Sequence, residues 1–227
     1  MISVAIDGPA GAGKSTIARE LAKRFSLIHV DTGAIYRAAG LYFLRRGENP
    51  ADKSLVLPEL CNITVELSFV GEEQHMRLCG EDVTDAIRTP EASMAASAIS
   101  AIPEVRTFLL EQQRSIAREN DVVMDGRDIG TVVLPDATVK IFLTADPEAR
   151  ARRRYKELLE RGIAAEYEQV LSDVQKRDTN DSSRAAAPLR QAQDAILVDT
   201  SHLDFAGSVK LLSNIITEKL AQCGAEG

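Results

Sequence analysis

Gly8, Pro9, Ala10, Gly11, Ala12, Gly13, Lys14 and Ser15 spell G-x-x-x-x-G-K-S between the apolar run Ile2 to Ile6 and a segment whose apolar residues recur at helical spacing. In that strand and helix context the octet reads as a phosphate-binding loop. A chain that wraps a triphosphate must turn tightly and set backbone N–H groups against oxygen atoms, and glycine permits both because it lacks a Cβ. The helix that follows adds the positive end of its dipole. Lys14 is then a mobile cation for the β and γ phosphates, the Ser15 hydroxyl a ligand for Mg²⁺, and Thr16 the next residue of the same donor site.

A second polar group closes the apolar strand Val122 to Met124: Asp125-Gly126-Arg127-Asp128-Ile129-Gly130-Thr131. Three charges at the carboxyl end of a strand are costly to hold together without a ligand or metal to answer them. Asp31-Thr32-Gly33-Ala34-Ile35-Tyr36-Arg37 likewise follows the short strand Leu27 to Val30. Thr32 reads locally as the N-cap of a helix running to Leu44, and Arg37 equally well as a surface charge or a phosphate ligand. Ser97, in the alanine-rich helix that Thr89 and Pro90 start, reads locally as a hydroxyl bonded to its own backbone. Arg150, Arg153 and Arg154 share a helix face with Arg152 on its flank. Tyr167, Val170, Leu171 and Val174 mark a second helix, followed by Arg177-Asp178-Thr179-Asn180-Asp181 and Arg184. Such density of arginine in an acidic chain reads as a mobile lid.

Chemistry narrows the choice among phosphate-loop proteins. A GTP switch needs an N-K-x-D segment to read guanine, and the sequence has none. A kinase acting on an alcohol needs a carboxylate to accept the hydroxyl proton, and Asp31 or Asp128 would be that base. A kinase acting on a phosphate monoester needs cations instead, since its acceptor oxygen is already anionic. Arg37, Arg106, Arg127, Arg150, Arg153, Arg154, Arg177 and Arg184 supply them. A noncatalytic ATP-binding module would keep the loop and have little use for these arginines.

The elements that must hold these groups follow from hydropathy. The 227 residues, 44% hydrophobic and 27% charged, suit one α/β domain with an insertion. Apolar runs at Ile2 to Ile6, Leu27 to Val30, Val122 to Met124, Val139 to Leu143 and Ile196 to Asp199 predict five parallel strands. Ile63, Val65, Leu67 and Phe69 instead alternate with polar neighbours, Gly71-Glu72-Glu73 supplies a turn, and His75 to Leu78 continues a small antiparallel meander. Gly162 after Arg161 ends the first arginine helix, and Val209, Leu212, Ile216 and Leu220 form the apolar stripe of a terminal helix. A net charge of −7 and 4% aromatic residues argue against broad nucleic-acid or anionic-membrane binding. Cys61, Cys79 and Cys223 lack metal spacing and read as reduced thiols of a cytosolic protein. His29, His75 and His202 are scattered and read as structural. The N-terminal apolar stretch reads as a core strand and not as a leader, and no run approaches the roughly 20 apolar residues of a membrane span.

Taken together, the phosphate loop, D-T-G-A-I-Y-R at 31 to 37, the strand insert at 62 to 86, A-A-S at 95 to 97, D-G-R-D-I-G-T at 125 to 131 and R-D-T-N-D-S-S-R-A-A-A-P-L from Arg177 make the chain resemble the bacterial cytidylate kinases along almost its whole length. The resemblance implies a phosphate-loop kinase core (1–61, 87–149 and 185–227), an insert at about 62–86 that closes over CMP, and a lid at about 150–184 that closes over ATP. It implies Mg²⁺-dependent transfer of the γ-phosphoryl group of ATP to CMP or dCMP by a cytoplasmic monomer with no nucleic-acid or membrane partner. Position by position, it implies that Ser97, Arg106 and Asp128 read cytosine and that Arg177 and Asp181 approach the sugar. Thr32, Arg37, Arg127 and Arg184 would hold phosphate, with Lys14, Arg127, Arg153, Arg154 and Arg184 as the catalytic cations. Many relatives carry serine where this chain has Thr32, which keeps the hydroxyl and adds a methyl group.

Overall fold

The computed structural model describes residues 1–225 apart from Glu72 and Arg161. Five parallel strands form the central sheet: β1 (Ser3–Asp7), β2 (Ile28–Asp31), β6 (Val122–Gly126), β7 (Val139–Thr144) and β8 (Ile196–Asp199), in the order β2-β6-β1-β7-β8. The expected strands are all present, shifted by at most two residues at their ends. They pair in parallel because helical segments carry the chain back between successive strands, and β1 and β6 are almost wholly buried because helices cover both faces.

On one face α1 (Lys14–Phe25) and α8 (Phe205–Ala225) bury Ile17, Leu21, Leu212 and Ile216 against Val4, Ile6 and Leu143. On the other, α5 (Pro103–Glu119) and a π-helical turn at Ile129–Val133 pack on Ala5, Val30 and Met124. Each fully buried aliphatic side chain of this kind contributes about 2 kcal/mol.

The antiparallel sheet β3 (Val65–Val70), β4 (Glu73–Leu78) and β5 (Glu81–Asp82) lies where alternation predicted it. Of its turn, Gly71 has φ +62°, while Glu72 lies outside the described residues. Among the described residues, the insert shares one core with the helices beside it. Val65, Met76 and Leu78 pack with Ile35 and Phe43 of α2 (Thr32–Arg45), Val56 of α3 (Lys53–Glu59), Ile99 of α4 (Pro90–Ile99) and Leu109 of α5. α6 (Pro147–Glu160) and α7 (Tyr167–Ser183) form a hairpin around Ala151, Leu158, Val170 and Val174. Gly162, beyond α6 and at φ +71°, donates its N–H to the Leu159 carbonyl, and Arg161 lies outside the described residues.

Two local expectations need correction. Asp31, and not Thr32, is the N-cap of α2: its Oδ1 accepts the Ala34 N–H at 3.1 Å, which frees the Thr32 hydroxyl to donate to the Asp125 carbonyl at 2.8 Å. α7 does not stop before Arg177 but runs on to Ser183. The chain offers no glycine or proline between Tyr167 and Ser183 to break it, and helical spacing puts Arg177 and Asp181 on one face.

Candidate active site

The carboxyl ends of β1, β2 and β6 open into a cleft of about 1540 Å³. The donor half is built first by backbone. Gly8 must be glycine, because a Cβ there would lie 1.9 Å from the Leu143 carbonyl oxygen on β7. The loop therefore lies directly on the sheet. α1 starts at Lys14 with Gly13 as an N-cap that makes no side-chain bond, and no acidic residue occupies its first turn. Its free N–H groups face the cleft as an anion site. Of the predicted donor residues, Ala10, Gly11, Ala12, Gly13, Lys14, Ser15 and Thr16 line the cleft, while Gly8 and Pro9 support the loop from behind.

Lys14 is buried, and its Nζ donates to the Pro9 carbonyl at 2.7 Å. Burial, then the positive charge of Arg127, pushes its ammonium down to about 7. A triphosphate reverses that balance and restores the proton. ATP binding at pH 8 is therefore expected to draw protons from the buffer, seen as a binding enthalpy that varies with the buffer's ionisation enthalpy. A buffer-independent heat at pH 8 would mean that Lys14 already carries its charge.

Ser15 Oγ donates to Asp125 Oδ2 at 2.7 Å, and His29 Nε2 lies 2.8 Å from Asp125 Oδ1. A hydroxyl and a carboxylate side by side beneath the phosphate loop fit the way phosphate-loop enzymes hold Mg²⁺. Sequence reasoning placed only Ser15 there. Asp125 lies 110 residues away, and only its position opposite Ile6 in the β1–β6 register could have brought the two together.

The acceptor half is an arginine cluster around two carboxylates. Asp128 is buried; its Oδ2 is hydrogen-bonded by Arg106 Nη2, and Arg184 Nη2 stands 3.8 Å from its Oδ1. The Arg106 guanidinium also lies over the Tyr36 ring, 5.3 Å from its centre. Burial alone would lower the pKa of Arg106, but Tyr36 and Asp128 more than offset it and hold it above the usual value. Arg127 Nε donates to Asp181 Oδ2 of α7 at 2.8 Å, and Arg37 Nη2 to Asp31 Oδ2 at 2.7 Å. Arg177 lines the same cleft, its pKa pushed down to about 10 by burial and then by Arg127. Burial and then Arg106 lower Arg184 as well. Cations forced together at this density call for anionic ligands.

Two buried polar atoms here have no hydrogen-bond partner: Ser97 Oγ and Arg184 Nη2. Ser97 is thus not absorbed by its own helix as the local reading had it; its hydroxyl stands at the cleft wall, satisfied by nothing in the protein. Asp31, Asp125, Asp128 and Asp181, in contrast, are all engaged. Burial would raise Asp31, but Arg37 holds it below the ordinary carboxylate range. Asp31 is tied to Arg37, and Asp128 is held by Arg106 and faced by Arg184, so neither carboxylate is free to take a hydroxyl proton, which argues against an alcohol acceptor.

The lid arginines divide into two kinds. Arg150 is buried and structural: its Nε donates to the Ala145 carbonyl at 2.8 Å, its Nη1 to the Ala10 carbonyl at 2.9 Å, and its two terminal nitrogens grip Asp178 of α7. It fastens the phosphate loop to the lid. Arg153 stands on the donor side, bonded to the carbonyls of Thr200 at 2.5 Å and Leu203 at 3.4 Å, and Arg154 at the rim bonds Glu157 at 2.9 Å. Both line the cleft.

A parallel sheet carrying a phosphate loop, faced across one cleft by an arginine cluster with an unsatisfied hydroxyl, defines a phosphate-loop kinase whose acceptor is anionic. The sequence model of the cytidylate kinase family matches residues 4–218, and the chain belongs to that family. It is similar to the cytidylate kinase of Caldicellulosiruptor bescii, 50% identical over 202 residues and 89% of each chain. The cytidylate kinase of Carboxydothermus hydrogenoformans is 50% identical over 216 residues, 95% of this chain and 97% of that one. An uncharacterised protein from Eubacterium ventriosum has a solved structure that superposes with a TM-score of 0.54 at 12% identity, over 96% of this chain and 99% of that one, a likeness of fold alone.

Proposed function

We propose that this cleft transfers the γ-phosphoryl group of ATP to the phosphate of CMP or dCMP, giving ADP and CDP or dCDP. The observation that carries this reading is the Asp128 centre: a buried carboxylate flanked by Arg106 and Arg184, with the free Ser97 hydroxyl at the same wall. Cytosine offers one donor, N4, beside two acceptors, N3 and O2. Asp128 accepts from N4, and Ser97 with Arg106 donates to the other two. Arg177 and Asp181 meet the sugar. Thr32, Arg37, Arg127 and Arg184 hold the acceptor phosphate, and its anionic oxygen attacks the γ-phosphorus in line with no base required.

Gly8 to Thr16 hold ATP, and Lys14 follows the charge that develops on the β and γ phosphates. Ser15 and Asp125 would hold Mg²⁺, which when bound neutralises phosphate charge and helps to orient the triphosphate. Arg153 stays by the donor nucleotide, while Arg154 and Arg184 approach the transferred group as the lid closes. The enzyme acts as a cytoplasmic monomer on small molecules. Its three free, exposed cysteines support a reducing compartment, and no helix among the described residues is long and apolar enough to cross a membrane.

Release of ADP measured with CMP, dCMP, UMP, AMP and a polyol acceptor tests the assignment. Turnover with CMP and dCMP is expected; turnover with the alcohol alone would replace the reading with that of a hydroxyl kinase, and none at all with that of a binding module. The insert at about 62–86 and the lid at about 150–184 should close over the two nucleotides and exclude water, a competing acceptor. Hydrogen exchange with CMP plus a nonhydrolysable ATP analogue is expected to slow in both segments. Exchange unchanged in both would mark the cleft as rigid.

A further inference from the structure

Asp7 closes the central strand with its carboxylate 4% exposed. Its Oδ1 accepts the N–H of Ile129 and its Oδ2 that of Gly130, each at 2.7 Å. These are the opening N–H groups of the π-helical turn that follows Asp128. An aspartate at the head of a turn ordinarily caps it with its own side chain. Asp128 does not: it makes no cap bond, and its carboxylate points instead to Arg106 and Arg184. Asp7 performs the capping from β1, 122 residues from Ile129 in the chain. Gly130 packs closely here: a Cβ there would meet Asp7 Oδ2 at 3.4 Å and the Lys140 stem at 3.2 Å.

We propose that Asp7 is a positioning residue of the acceptor-base pocket: by capping the Ile129–Val133 turn from outside, it releases the Asp128 carboxylate to read the base. This rests on Asp128 reading cytosine, as set out above. Stability alone gives little reason for a carboxylate at this place. Burial pushes Asp7 up to about 6 even though two N–H groups pull it down, and Asp128 adds to the rise. A neutral side chain would avoid that cost.

The test compares kcat/KM for CMP and UMP, and KM for ATP, in wild type, Asp128→Asn and Asp7→Asn. The Asn amide leaves one turn N–H without an acceptor, so Asp128 rotates back to cap its own turn. About a tenfold rise in KM for CMP is expected, with the CMP to UMP ratio falling toward that of Asp128→Asn. KM for ATP should stay within about twofold, because Arg127, Asp125 and Asp181 all act on Lys14 more strongly than Asp7 does. A ratio that Asp128→Asn changes and Asp7→Asn leaves alone would overturn the inference and keep the base reading. A ratio that Asp128→Asn leaves alone would overturn the base reading itself.

Asp7→Ser, which can accept one N–H and admits a water, is the second variant should Asn not fold. Wild type gives a check free of substitution. The Ile129 and Gly130 amides should resist hydrogen exchange before any CMP is added, and amides that become protected only with CMP would show that Asp7 does not hold the turn.

Discussion

Lys14→Ala is expected to lower turnover of CMP by about a thousandfold or more, while the protein stays folded. The ammonium lies at the start of α1, where charge grows on the β and γ phosphates during transfer, and a preorganised cation at such a point is worth at least as much as one oxyanion-hole donor. Removal should not cost stability. Lys14 is buried, and its pKa of about 7 records how poorly burial beside Arg127 tolerates its charge. The sign follows from linkage. The folded protein gives up this proton near 7 and the unfolded chain holds it to above 10, so wild-type stability gains with pH across that window from this group. Lys14→Ala loses that gain. Single-turnover ADP formation, with thermal unfolding at two pH values, reads both effects, and near-normal turnover in the folded variant would remove Lys14 from the mechanism.

Asp128→Asn is expected to lower kcat/KM for CMP by about a hundredfold and to narrow the gap to UMP, because the amide can turn its NH₂ toward O4 of uracil. Uracil at the wild-type site sets O4 against the Asp128 oxygens and its N3–H against donors, and sites built on such bonds discriminate by up to about 10⁴. The substitution also takes the counter-charge from Arg106 and Arg184, so a circular-dichroism check of the fold belongs with the kinetics. A CMP to UMP ratio equal to that of wild type would show that Asp128 does not read the base.

What the sequence made legible was what neighbours in sequence decide. The phosphate loop could be read in full because strand, glycines, Lys14, Ser15 and helix are contiguous, and the insert because alternation is a local period. Three relations were not legible because they join distant segments. Ser15 meets Asp125 across the sheet, Arg150 turns inward to Ala10 and Asp178 although its spacing made it one of a row of phosphate cations, and Asp7 grips the turn after Asp128. Ser97 shows the opposite limit. A lone serine in an alanine helix carries no local signal, and only its unsatisfied burial in the fold, or the family resemblance, marks it.

The strand order has a consequence for synthesis on the ribosome. β1 precedes β6 and β7 in the chain, yet it lies between them and pairs only with them, so its register partners begin at Val122 and end at Phe142. Until those residues leave the exit tunnel, the apolar segment Val4-Ala5-Ile6 has neither edge paired. The stretch from β1 to β6 must therefore be made while an unpaired strand is exposed, the condition that favours aggregation and recruits chaperones. The phosphate loop, whose Gly8 lies against the Leu143 carbonyl of β7, therefore takes its shape only after a much later part of the chain has been made.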